Sequence, residues 1–423
     1  MIDVKLLREN PEKIKEAVKV KGFSVDIDQI IELDNKRREL ETKIQNLREQ
    51  RNKIAKAASN AVDREKTKIA EEGKKIKDEL QKVEPQLEEL EKKFAEEFNK
   101  IPNPPLSQVP KGESEKDNVE VKKWGDLPKF DFSPKDHLEI GKDLGILDFE
   151  TGSKVSGSQF YFLYGAGAIL EIALVHFAMD LLSKEGFTPV ITPDLAKSRY
   201  YLGTGYSPKG DEAQTYEIDG EDLGLIATAE VTLAGKHADE SILEKDLPIK
   251  YIGYSHCFRK EAGAYGKYSK GLYRVHQFTK AEMFIYCKPE ESEKMHQHIL
   301  DMEEKIYQTL GLPYRVLEMC SGDLGAMAAR KFDIEAWMPS RNEYGEVTST
   351  SNCTDYQARN LNIRYRTKDG RNEFVHMLNG TAIATSRTPL AILENYQEKD
   401  GSVGIPQVLQ KYMGGLERIE KAK

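Results

Sequence analysis

The chain has 423 residues, enough for two or three domains and at least one sizeable core, and 39% of them are hydrophobic. Its net charge of -8 gives no global attraction to nucleic acid, so any such partner has to meet a local basic patch. Four cysteines stand singly in the second half, with no CxxC or His-rich spacing; this argues against a disulfide framework or a structural zinc site and predicts buried free thiols.

The N-terminus, MIDVKLLRENPEKIKEAVK, alternates charged with apolar residues in place of a signal-peptide core. No apolar run reads as the roughly 18 residues of a spanning helix, so a cytoplasmic protein with no membrane segment is expected. Ile30, Leu33, Arg37, Leu40, Ile44, Leu47, Arg51 and Ile54 then recur at alternating steps of three and four, and Ile69, Gly73, Ile76, Leu80, Val83, Leu87, Leu90 and Phe94 repeat the rhythm. Two such heptad runs joined by the breaker SNAVD predict an antiparallel helical hairpin zipped as a coiled coil, too long to fold back into a compact body. Pro85 lies inside the second arm on its outer face, where a local kink is expected. Around the tip, from Arg48 to Lys77, ten cations stand against five anions, while the base of the second arm is acidic from Glu84 to Glu97. A charged helix face is often merely solvated, but this polarity suits an arm that probes a polyanion such as RNA. The candidate contacts are Arg48, Arg51, Lys53, Lys56, Arg64 and Lys68.

The proline-rich and then polar stretch NKIPNPPLSQVPKGESEKDN reads as a linker. From about residue 120, short strand-like runs alternate with helices: ILEIALVHFAMDLLSKEG is helical with a glycine stop, and FTPVITPDL is extended. LGLIATAEVTLAGKHA reads as strand, turn and helix, and YIGYSHCFRKE and LYRVHQFTKAEMFIYC as two long strands around the loop AGAYGKYSKG. As a strand, CFRKE places Arg259 and Glu261 on one face and Phe258 on the other. Long hairpins and few strand-helix-strand alternations predict an α+β domain with an antiparallel sheet flanked by helices. Walker-type, HExxH, GxSxG and kinase signatures are missing, and GAGAIL lacks the third glycine of a dinucleotide loop. The histidines sit singly and read as structural or surface groups.

Three segments in order resemble the class II aminoacyl-tRNA synthetases. LLSKEGFTPVITPDL, a long helix entering a strand that ends at Pro193, is similar to their motif 1; FRKE with its loop and returning strand resembles motif 2; and NGTAIATSR, ending in Arg387 before the helix TPLAILENYQ, resembles motif 3. With TAE at Thr228 to Glu230 and the helical hairpin, the likeness is to the seryl-tRNA synthetase family and covers essentially the whole chain. It implies a tRNA-binding hairpin domain at 1–105, a linker at 106–120 and a catalytic domain at 121–423. The implied reaction activates L-serine with ATP to seryl-adenylate and passes the seryl group to tRNA(Ser), and also to tRNA(Sec), in a homodimer with motif 1 at its interface.

The same resemblance implies roles for individual residues. Arg259 matches the motif 2 arginine on the α-phosphate and the amino acid carboxylate, Lys260 and Glu261 follow it, and Glu261 is placed near the adenine amino group. Arg387 matches the motif 3 arginine on the γ-phosphate; Arg259 and Arg387 are thus the catalytic pair. Glu346, Val347, Thr348 and Ser349 belong to the ATP site, with Glu346 and Ser349 as oxygen ligands for Mg²⁺, and Val275 packs by the adenine. Around serine stand Thr228, Ala229, Glu230, Arg259, Glu282, Asn379 and Thr381, with Glu282 as anionic partner of the α-ammonium. No cysteine lies near TAE, so a serine site without zinc is expected. A related amino acid:carrier protein ligase would share the core but lack the long hairpin. A non-catalytic relative is expected to lose Arg259, Glu282 or Arg387, and all three are present.

Overall fold

A computed structural model describes residues 1–60, 63–206, 214–261 and 271–421, apart from the side chains at 58–60 and 63–65. The chain divides into two compact units, Met1–Pro104 and Pro105–Lys423.

The first unit holds α1 (Val4–Glu9), α2 (Pro11–Val20), α3 (Ile27–Asn60) and α4 (Asp63–Phe98). Asn10 accepts a hydrogen bond from the Lys13 peptide and Pro11 occupies the first turn of α2, where its missing N–H is no loss. At about 1.5 Å per residue, the 34 residues of α3 extend on the order of 50 Å. The heptad positions form the seam: Ile44 and Leu47 of α3 pack on Leu80 and Val83 of α4, with Leu40, Ile76 and Leu87 beside them. Arg37 belongs to this seam through its stem and stacks its guanidinium over Phe94 at 4.9 Å. Asp34, 1% exposed, receives Arg8 at 2.6 and 2.8 Å and Arg37 at 2.9 Å, which ties α1 to α3. Burial pushes the Asp34 carboxyl up, but its two arginine partners outweigh that and hold it below the ordinary range. α4 runs unbroken through Pro85.

The second unit is built on an eight-stranded sheet. In chain order its strands are β1 (Val119–Trp124), β2 (Thr188–Ile191), β3 (Ile249–Phe258), β4 (Gln277–Cys287), β5 (Tyr314–Glu318), β6 (Arg330–Met338), β7 (Glu343–Asn352) and β8 (His376–Ala384). Their spatial order is β1-β5-β6-β7-β8-β4-β3-β2, antiparallel throughout except for the parallel pair β2 and β3. β2 is an edge strand, which is why Pro189 can sit in it without breaking the ladder. Helices α5 (Ala166–Lys184) and α7 (Ser292–Thr309) supply Leu170, Leu174, Ile299, Ile306 and Tyr307 to the core, against Met283, Ile285, Ile334 and Ala382. Between them in sequence lies α6 (Glu230–Gly235); α8 (Tyr356–Leu361) and α9 (Thr388–Asn395) follow β7 and β8. This is the expected α+β class.

Two expectations need correction. α5 is 19 residues long and, by length and composition only, apolar enough to cross a bilayer, contrary to the reading of the sequence. One side of it is core, through Leu170, Ala173, Leu174, Phe177, Ala178 and Leu182, while Ile169 and Ile172 on another side are exposed. Two apolar faces with different environments sum to one apolar helix. The second correction is to CFRKE: β3 ends at Phe258, and Glu261 has a φ of +49°. Arg259 and Glu261 therefore do not share a strand face. The four cysteines are buried, as expected.

Candidate active site

Strand alternation decides what faces the cavity. On β4, Ala281 and Met283 enter the core while Lys280 and Glu282 point the other way; on β8, Ala382 enters the core, and Asn379 and Thr381 point away from it. Glu282 lies directly opposite Thr381, whose hydroxyl is 3.4 Å from the Glu282 carboxylate. On β6, Phe332, Ile334 and Ala336 are core, which leaves Lys331, Asp333 and Glu335 on the cavity side. Lys280, Glu282, Lys331, Asn379 and Thr381 border a cavity of about 270 Å³, near the lower end of small-ligand sites.

The spacing of Glu346 and Ser349 works only because of a β-bulge. In a regular strand, residues three apart point to opposite faces. Here Glu335 opposes Glu346, and Asp333 opposes Ser349, with a register shift between them. Since Asp333 and Glu335 share a face, their partners Glu346 and Ser349 share it too. Val347 and Thr348 border the cavity but are buried; Val347 joins the core, and the Thr348 hydroxyl donates to Glu303 of α7 at 2.9 Å. Arg387, the residue before α9, meets Glu346 at 2.6 Å and stacks over Tyr273 at 4.8 Å. Burial pushes the Glu346 carboxyl up, yet the charges of Arg387 and Lys331 prevail and hold it below its ordinary value. Burial also pushes the Asp333 carboxyl up to about 7, against the pull of Lys331, and Asp333 Oδ1 is buried without a hydrogen-bond partner.

Arg259 stands between the two ends. Its Nε donates to the Ala227 carbonyl at 3.3 Å, its guanidinium lies 5.3 Å over Phe278, and its charge is felt both at Glu346 and at Tyr206. Glu261 reaches the same cavity through its left-handed backbone and pairs with Arg274 at 3.2 Å. At the opposite end, Glu230 at the start of α6 is 3% exposed. Its Oε1 accepts from Gln357 at 2.7 Å and Asn379 at 3.0 Å, and its Oε2 from Tyr206 at 2.8 Å. Burial raises the Glu230 carboxyl, and the nearby Glu282 charge adds to this, while the Gln357 and Tyr206 hydrogen bonds oppose it.

Of the residues expected from sequence, Glu230, Arg259, Glu261, Val275, Glu282, Glu346, Val347, Thr348, Ser349, Asn379, Thr381 and Arg387 meet at this one cavity. Thr228 and Ala229 are buried beside it, and the Thr228 hydroxyl accepts from the Glu230 peptide at 3.3 Å. Lys260 turns away: its ammonium lies 5.7 Å over the Tyr216 ring and its peptide N–H donates to Gln214. Most of the loop AGAYGKYSKG lies outside the described residues. In the helical unit, Arg51, Lys53, Lys56 and Lys68 are exposed, Arg48 pairs with Glu84 at 2.8 Å, and the Arg64 side chain lies outside the described residues. Several groups in and around the cavity escaped the reading of the sequence. Lys280 touches the Glu282 carboxylate, and strand alternation two residues before Glu282 could have found it; Lys331 faces Ser351 across β6 and β7. Tyr206 and Gln357 come from loop and helix segments with no local signal of their own.

The set divides by chemistry: buried carboxylates, an amide and a hydroxyl at one end suit an amino acid, and arginines, a lysine and hard oxygens at the other suit a nucleotide's phosphates. Comparison with known proteins agrees. Residues 1–105 match the seryl-tRNA synthetase N-terminal domain, and residues 214–396 match the tRNA synthetase class II core domain (G, H, P, S and T). A serine–tRNA ligase of Dictyoglomus turgidum is 55% identical over 417 residues, covering 98% of both chains. The chain belongs to the seryl-tRNA synthetase family. Among solved structures, a seryl-tRNA synthetase from Pyrococcus horikoshii complexed with ATP has a TM-score of 0.91 at 42% identity, covering 100% of each chain. A cytoplasmic serine–tRNA ligase from Naegleria fowleri in complex with AMP has a TM-score of 0.86 at 37% identity, covering 100% of this chain and 99% of its own. Members of this family join serine to tRNA at the expense of ATP, and the enzyme class carries over to this chain.

Proposed function

We propose that both stages of serine charging run in this cavity, with Arg259 as the group common to them. In the first, a serine carboxylate oxygen attacks the α-phosphorus of ATP, a new P–O bond forms, and the bond to the pyrophosphate leaving group breaks. Negative charge accumulates on the phosphorus oxygens, and a guanidinium held in place by Ala227 and Phe278 stabilises it without reorganising. The carboxylate is already ionised, so no general base is needed. Glu282 takes the α-ammonium, with Lys280 as its counter-ion when the pocket is empty; Thr381, Asn379 and Glu230 take the polar groups of serine. Glu261 holds the adenine amino group, and Arg387 leaves Glu346 for the γ-phosphate. In the second stage a terminal ribose hydroxyl of tRNA attacks the acyl carbon and AMP departs.

Mg²⁺ fits the phosphate end. Its donors are all hard oxygens, and Glu346 and Ser349 share a face on the cavity wall. Among the described residues no three His, Cys, Asp or Glu side chains form a protein-only metal cage, which suits an ion held largely by phosphates. When bound, it would neutralise phosphate charge there.

The partners follow. The exposed cations Arg51, Lys53, Lys56 and Lys68 of the hairpin support contact with RNA backbone, and a probe of shape rather than sequence serves tRNA(Ser) and tRNA(Sec) alike. Exposed Phe162, Tyr164, Ile169, Ile172 and Ile191, in and around the motif 1 segment, support a homodimer that covers them. The working place is the cytoplasm.

The observation that carries this reading is Arg259 between Glu230 and Glu282 on one side and Glu346 and Arg387 on the other. Serine-dependent exchange of pyrophosphate into ATP tests it: the parent protein exchanges with serine and Arg259→Ala does not. A parent that shows no exchange with serine refutes the reading.

A further inference from the structure

The Glu230 carboxylate is surrounded by more donors than its own segment supplies. A carboxylate offers about four acceptor directions. Oε1 uses two, for Gln357 and Asn379, and Oε2 uses one, for Tyr206. One direction remains, on Oε2, beside the Tyr206 ring that borders the cavity.

Gln357 is the more telling partner. It is fully buried on α8, does not itself border the cavity, and meets the cavity lining through Glu230 and, at 3.6 Å, the Met327 sulfur. Its amide nitrogen also lies 3.3 Å from the Thr204 carbonyl, so both N–H groups point at acceptors, while its Oε1 is buried without a hydrogen bond. A buried amide that leaves its carbonyl unpaired gives up stability, on the scale of a lost hydrogen bond. Flipping the amide would bring oxygen against the carboxylate oxygen, so the orientation is dictated by Glu230. Such a local sacrifice is characteristic of a site built for a ligand.

We propose that Gln357 and Tyr206 are positioning residues that fix the Glu230 carboxylate with one lone pair of Oε2 left open, and that this single acceptor selects an amino acid whose side chain carries a hydroxyl donor. The proposal rests on the placement of Glu230 in the amino acid pocket. Serine fills the open direction. Alanine leaves it unpaired in a buried place, and that is how a small apolar competitor is refused.

The test is serine- and alanine-dependent ATP–pyrophosphate exchange by the full-length protein and its variants. Tyr206→Phe removes one hydroxyl and keeps the ring; Gln357→Leu removes both amide contacts. Each is expected to raise the serine KM by about ten- to a hundredfold, to leave kcat and the ATP KM within about threefold, and to lower the serine-over-alanine ratio of kcat/KM. The exchanged pair Glu230→Gln with Gln357→Glu restores a donor facing an acceptor and recovers part of the serine KM lost in Glu230→Gln alone; a purely structural role predicts that the double variant is worse. If Glu230→Gln raises the serine KM while Tyr206→Phe changes neither that KM nor the ratio, the proposal fails and the pocket assignment stands. If Glu230→Gln leaves the serine KM unchanged, the assignment fails and the proposal with it. Should Gln357→Leu fail to fold, Tyr206→Phe decides the matter.

Discussion

Gly380 offers a test of how closely the serine end of the cavity depends on the packing behind it. The residue lies on β8 between Asn379 and Thr381, which face the cavity, so its own missing side chain faces α7. A Cβ there would stand 2.2 Å from Ile299 Cγ2, 2.9 Å from Glu303 Oε1 and 3.2 Å from Thr350 Cβ. Carbon atoms prefer about 3.5–4.0 Å, so β8 and α7 have to part by roughly 1.5 Å or the strand must shift towards the substrate. Overpacking of this kind costs about 1–3 kcal/mol. A displacement near 1 Å at a positioned substrate lowers turnover by about a hundredfold. Gly380→Ala is therefore expected to melt a few degrees lower and to lose about a hundredfold in serine-dependent kcat/KM, measured by calorimetry and pyrophosphate exchange. Ile299→Ala alone costs about 2–5 kcal/mol by opening a cavity. In the double variant the new methyl enters that cavity, so the two losses are less than additive and part of the exchange activity returns. Parental kcat/KM and melting temperature in Gly380→Ala, or strict additivity in the double variant, would refute the argument.

Other outcomes follow from the same geometry. Burial holds the fully buried His296 imidazole down at about 4 from its ordinary 6.5. The unfolded chain then binds the proton first, and stability falls by about 3 kcal/mol as pH drops from 6.5 to 4. Chemical denaturation at pH 7 and pH 5 detects this, and His296→Gln flattens that part of the profile. Deleting residues 30–94 should abolish tRNA charging and leave pyrophosphate exchange largely intact; equal loss of both would contradict the division of labour. Arg48→Ala breaks a largely exposed pair with Glu84, so folding changes by less than about 1 kcal/mol, while the salt dependence of tRNA binding weakens by about one ion. Unchanged salt dependence removes Arg48 from the RNA surface.

Much of this protein is legible in its sequence because the signals are local. A step of three and four needs only neighbouring residues, and Ile44, Leu47, Leu80 and Val83 meet where the rhythm puts them. Alternation along β4 and β8 likewise brings Glu282 and Thr381 to one face, and motif order alone places Arg259 and Arg387 at one cavity. Other features depend on partners far along the chain. The bulge that puts Glu346 and Ser349 on a common face is a matter of pairing with β6, and the end of β3 at Phe258 moves Glu261 into the cavity by a left-handed turn instead of a strand face. The bonds that Gln357 and Tyr206 make to Glu230 were decided by packing alone. Sequence determined which chemistry this chain carries and which faces of its elements are apolar, since both are properties of residues and their immediate neighbours. Tertiary structure decided which charges meet and which lone pair stays open, because burial and hydrogen-bond geometry exist only once distant segments have been brought together.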